Sequence, residues 1–115
     1  MNRTNLEEFL IHGVPYCWPG RLSGPVNGMP TAGSAPCLAG RFPPADMGPR
    51  VWPTEDGEVR GLGVTPICPS APVAAVRNLR LYKLLALVDA IRLGAARDRK
   101  LAAAELSDEL VHERA

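Results

Sequence analysis

The sequence predicts a mostly α-helical chain in which a long Pro/Gly-rich irregular segment separates a short N-terminal helix from a C-terminal helical pair. Three observations predict it. Apolar residues recur at three- and four-residue spacing near both ends of the chain. The 12 prolines and 11 glycines are concentrated between those ends. A single stretch, 59–67, has the aliphatic character of a strand, so at most one or two short strands are expected. With 115 residues the chain can bury one core but not two. It therefore divides into a helix over 1–13, a loop region over 14–69 and a helical pair over 70–115, all within one compact unit.

Thr4 and Glu7 stand in T-x-x-E spacing, the pattern of a capping box in which each side chain satisfies an orphan backbone N–H. Leu6, Phe9 and Leu10 then line one helical face, and Gly13 and Pro15 are expected to stop the helix after His12. A helix of two turns is unstable alone because nucleation is costly, so it must pack on something. From Val14 to Pro53, prolines recur with glycines between them, each removing a donor and restricting its predecessor. No regular element is expected there. The segment still carries Tyr16, Trp18, Leu22, Val26, Met29, Leu38, Phe42, Met47, Val51 and Trp52, more large apolar side chains than a solvated linker holds, which predicts an ordered loop wrapped over a surface. Glu55-Asp56-Gly57 signals a turn, and the strand at 59–67, interrupted by Gly61 and Gly63, needs a partner from the loop or from another chain.

Pro72 suits the first turn of a short helix, and Asn78 is a good N-cap for the next one. Leu81, Leu84, Leu85, Val88 and Ile91 follow at helical spacing, with Arg80, Lys83 and Arg92 off the stripe. Gly94 fits a left-handed C-terminal cap, after which Ala102, Leu106 and Leu110 share one face of a second helix.

A formal net charge of +1 supplies no basic field for nucleic-acid phosphates. No apolar run approaches the ~20 residues that span a bilayer, and the N-terminus has no signal-peptide pattern, so a cytoplasmic location is expected. The excess of Arg over Lys and the abundance of Ala fit a GC-rich bacterial genome. Cys17, Cys37 and Cys68 are odd in number and widely spaced, which predicts reduced thiols rather than a disulfide framework.

Candidate chemistry is weak at every position. His12 and Cys17 could form a base and thiolate, but no orienting group or anion site accompanies them. His12 is better read as a cation at a helix C-terminus. The three cysteines with His12 or His112 lack the close ligand pairs of structural zinc sites, so no metal is expected. Gly20 to Gly28 matches neither phosphate-binding glycine pattern. Glu55, Asp56 and Glu58 lack calcium-loop spacing and read as a solvated turn. Arg97, Asp98, Arg99 and Lys100 read as a mixed-charge helix face. No cofactor and no catalysis are expected.

The strings GMPTA (28–32), VWP (51–53), DGEVRG (56–61) and LYKLLALVDAIRLGAARDRKLAAAEL (81–106), with His12-Gly13, Tyr16, Pro19 and Arg21 ahead of them, resemble the C-terminal region of bacterial winged helix-turn-helix proteins of the MarR-like type. The resemblance implies a regulatory context and no catalytic residues. Only about a dozen residues precede Gly13, far fewer than a winged-helix reading head needs, so direct nucleic-acid binding is not carried over. The expected function is a non-catalytic interaction or regulatory module that dimerises or docks on a protein partner. Its interface would be the stripe Leu81, Leu84, Leu85, Val88 and Ile91 together with the aromatic anchors Trp18 and Trp52, and Leu85→Asp is expected to abolish association. The alternatives are one part of a DNA-binding regulator whose reading head lies on a longer polypeptide, and a small enzyme using His12 and Cys17.

Overall fold

The computed structural model describes residues 3–38, 40, 42, 48–93 and 96–112, without the side chains of Arg3, Thr4 and His112. In chain order it contains α1 (Arg3–Glu8), a π-turn (Phe9–Gly13), α2 (Val14–Cys17), β1 (Leu22–Pro30), two 3₁₀ turns (Ala32–Ser34 and Pro36–Leu38), β2 (Arg50–Pro53), β3 (Val59–Val64), α3 (Ala71–Arg77), α4 (Leu79–Leu93) and α5 (Ala96–His112). This is an α+β fold, which corrects the expectation of a mostly α chain with one or two short strands.

The missed strands lie in the proline-rich segment. β1 pairs antiparallel with β3 from Leu22↔Val64 to Gly28↔Val59. Its C-terminal end pairs antiparallel with β2, from Gly28↔Pro53 to Pro30↔Val51. β2 and β3 run parallel through Arg50↔Leu62 and Val51↔Gly63, so each strand touches both others and the sheet closes on itself. Proline is tolerated in strands at ends and bulges, where no ladder donor is required. Pro30 and Pro53 end their strands, and Pro25 sits where the register shifts against β3. The strand expected over 59–67 ends at Val64, and its partners come from the loop segment.

Gly28 is the point at which the three strands converge, since it pairs with both Pro53 and Val59. A Cβ there would collide with the Trp52 carbonyl, and a Cβ on Gly57 would collide with the Gly28 backbone. Only glycine permits so close an approach of strand and turn.

The N-terminal helix does not stop at His12. The Val14 N–H donates to the Phe9 carbonyl five residues back, and this wide turn places Pro15 among the first residues of α2, where its missing N–H is no loss. The Thr4 hydroxyl of the expected capping box, the Gly94 cap and Met47 lie outside the described residues.

The helix α4 occupies the centre. Tyr82, Ala86, Leu87, Val88, Asp89, Ala90, Ile91 and Arg92 are all buried. Trp52, Ala32 and Leu38 pack against α4 from the sheet side, and Ala102, Leu106 and Leu110 of α5 join the same core. Asn78 Oδ1 accepts from the N–H groups of Arg80 (3.1 Å) and Leu81 (3.2 Å), satisfying two donors at the start of α4. Lys83 and Glu109 tie α4 to α5 through a half-buried ion pair of 2.6 Å.

Candidate functional site

A charged cluster lies at the junction of α4 with the sheet. Asp89, only 2% exposed, accepts from the Thr31 hydroxyl (2.7 Å) and the Trp52 indole N–H (2.6 Å) at Oδ2. Its Oδ1 accepts from Arg92 Nη1 at 2.6 Å. The same guanidinium donates through Nη1 to the Thr65 carbonyl (3.1 Å) and through Nε to the Trp18 carbonyl (2.9 Å). In return the Arg92 carbonyl accepts from the Gly20 N–H at 2.9 Å. The Tyr82 hydroxyl donates to the Pro30 carbonyl, and its ring lies 5.7 Å from that of Trp52.

Burial pushes the Asp89 carboxyl above its ordinary value, and the Thr31 hydroxyl, the Arg92 guanidinium and the Trp52 indole oppose that shift. Indole and guanidinium can only donate, so the ionised carboxylate is the form this geometry satisfies. The Tyr82 hydroxyl is pushed up to about 12, first by burial and then by the neighbouring Cys37 thiol. Burial also pushes the Cys37 thiol up. Among the described residues no buried side-chain polar atom lacks a hydrogen-bond partner. The cluster is hydrogen-bonded throughout and joins α4 to Thr31, Trp52, Thr65 and Trp18.

The sequence reading singles out neither Asp89 nor Arg92 as a site, and it places Arg92 only off the leucine stripe. The available signal was an Asp and an Arg at i,i+3 inside the apolar run from Leu84 to Leu93. Three of the four strings singled out in the sequence meet here, and DGEVRG does not. GMPTA supplies Thr31, VWP supplies Trp52, and the α4 string supplies Tyr82, Asp89 and Arg92.

The residues singled out as an interface occupy several environments. Trp52, Val88 and Ile91 are buried within the chain. Leu81, Leu84 and Leu85 are half-buried, and Leu84 and Leu85 pack against the core. Leu85→Asp would therefore disturb packing inside the chain as well as any contact outside it. Trp18 is 50% exposed. His12 lies 3.9 Å from Glu8 on the preceding helical turn, and among the described residues no hydrogen bond joins it to Cys17. Cys17, Cys37 and Cys68 are free and exposed. Among the described residues, no group of three or more His, Cys, Asp or Glu side chains is placed to hold a metal ion.

Apolar surface remains open elsewhere. Val73 and Val76 on α3 are 58% and 70% exposed, and Leu79 at the start of α4 is 74% exposed. The valines form one wall of a groove of about 450 Å³. Met29 and Pro30 at the end of β1 and Val59 of β3 continue its apolar lining, and Asp56 and Glu58 add two carboxylates from the β2–β3 turn. That turn is fixed by the Thr54 N–H to the Asn27 carbonyl (3.3 Å) and by the Gly57 N–H to the Thr54 carbonyl (3.2 Å). The groove was missed in the sequence because its walls come from segments about 45 residues apart that only the folded sheet brings together.

No family model, no curated protein and no solved structure matches this chain. Among the described residues no helix is long and apolar enough to cross a membrane.

Proposed function

We propose that this chain is a non-catalytic protein-interaction module that docks a partner in the groove between α3 and the β2–β3 turn. The observation that carries the reading is the exposure of Val73 and Val76 at the groove wall. Contiguous exposed aliphatic side chains beside a concavity are what docking sites offer, because burying them removes about 25 cal/mol per Å² of unfavourable hydration. The charged groups that could have suggested chemistry are instead held inside the fold: Asp89 and Arg92 join α4 to Thr31, Trp52, Thr65 and Trp18. Within the interface expected from the sequence, Trp18 remains open as a second anchor, while Trp52, Val88 and Ile91 are used internally.

Selection of a phage-displayed random peptide library on the immobilised full chain tests the reading. Clones retained by the wild-type protein should be lost by Val73→Asp and Val76→Asp variants whose thermal unfolding is unchanged. Equal retention by all three proteins would refute docking at α3.

A further inference from the structure

We infer that the occupant of this groove is a short peptide segment of a partner protein, combining an aliphatic side chain with a flanking lysine or arginine. The inference rests on the docking reading above and specifies the partner's chemistry. Size is the first argument. Two folded surfaces that hold each other use about 20–30 residues on each side. The groove is lined by eleven residues, too few to hold a second copy of this chain. A volume near 450 Å³ accepts one or two inserted side chains from a narrow segment.

Charge is the second argument. Asp56 and Glu58 flank Gly57 on the groove lining, are exposed, and form no ion pair among the described residues. Glu55 adds a third carboxylate in the same turn. The cations nearest in sequence are Arg60, whose guanidinium donates to Asn27 Oδ1 at 3.3 Å, and Arg50, whose guanidinium donates to the Gly48 carbonyl at 3.0 Å, and neither lines the groove. An anionic membrane or a nucleic acid would meet like charge here, whereas a cationic side chain beside an aliphatic anchor would meet complementary charge. The backbone that carries these carboxylates is set before binding, since the Thr54 and Gly57 N–H groups are hydrogen-bonded and Gly57 lies against Gly28.

A random dodecapeptide library on phage, selected on the full chain at low salt, is the probe. Enriched clones should pair Leu, Ile or Val with Lys or Arg. A synthetic peptide from the leading clone, followed by fluorescence anisotropy, should bind the double variant Asp56→Asn, Glu58→Gln about three- to tenfold more weakly than wild type. That difference should shrink at about 0.5 M salt. Val76→Asp and Val76→Lys should both lose the peptide. Enriched clones that are acidic or uncharged, or a double variant that binds like wild type, would overturn the cationic occupant while leaving docking at α3 intact. Unchanged binding by both Val76 variants, or no enrichment at all, would overturn both.

Discussion

Asp89 and Arg92 show how a buried ion pair can act as a joint. A carboxylate taken out of water loses hydration that a single cation does not replace, and here Thr31 and Trp52 supply further donors. Removing one partner strands the other. Arg92→Leu should therefore cost about 3–5 kcal/mol in urea unfolding. Asp89→Asn combined with Arg92→Leu should recover part of that loss, because the Asn carbonyl can still accept from Trp52 and Thr31. A double variant no more stable than Arg92→Leu would show that the carboxylate's charge is not the source of the cost.

Tyr82 ties a stability change to pH. Its folded value of about 12 lies above the ordinary 10.0, so between those values the unfolded chain has released a proton that the folded chain keeps. Unfolding is thus favoured as pH rises through that window, and the contribution present below 10 is lost. Tyr82→Phe should be less stable at neutral pH by about 0.5–1.5 kcal/mol for the lost hydrogen bond to Pro30. It should also show a shallower decline in stability between pH 10 and 12 than wild type. Parallel alkaline profiles for the two proteins would contradict this assignment.

At the scale of elements, the C-terminal helices and β3 are legible in the sequence, and β1 and β2 are not. Leucine spacing and Asn78 marked α4, and Ala102, Leu106 and Leu110 marked the buried face of α5, because helical periodicity is a local signal. β1 and β2 are hidden because proline and glycine disfavour strands locally, while strand pairing is decided by partners elsewhere in the chain. Pro25, Pro30 and Pro53 occupy the positions a strand can concede, and Gly28 is required by the crossing rather than merely tolerated. Gly28→Ala should accordingly cost stability near the upper end of about 1–3 kcal/mol, since the atoms it would strike are backbone and cannot rotate away. Thermal unfolding of that variant, compared with Gly24→Ala where the added methyl meets open space, separates close approach from a general loss of backbone freedom.

Across the whole molecule, the leucine spacing of α4 demands cover from a neighbour inside or outside the chain, as core or as interface, and the fold supplies much of that cover from within. The short N-terminal helix, the sheet and α5 cover α4. The buried cluster was illegible for the same reason as the sheet: Thr31 and Trp52 stand 58 and 37 residues from Asp89 in sequence. What remains uncovered on α3 is a seven-residue helix whose exposed valines no local pattern would have ranked above five periodic positions on α4. Buried charge holds the scaffold, and the proposed docking surface is built apart from it, from open aliphatic side chains.

Amide hydrogen exchange of the full chain, with and without a library-selected peptide, addresses that separation directly. Slow exchange along α4 in the free chain, with new protection on peptide addition confined to residues 54–59 and 72–79, is the expected result. Rapid exchange along α4 in the free chain, or protection gained only around Trp18 or along the leucine stripe, would contradict docking at α3.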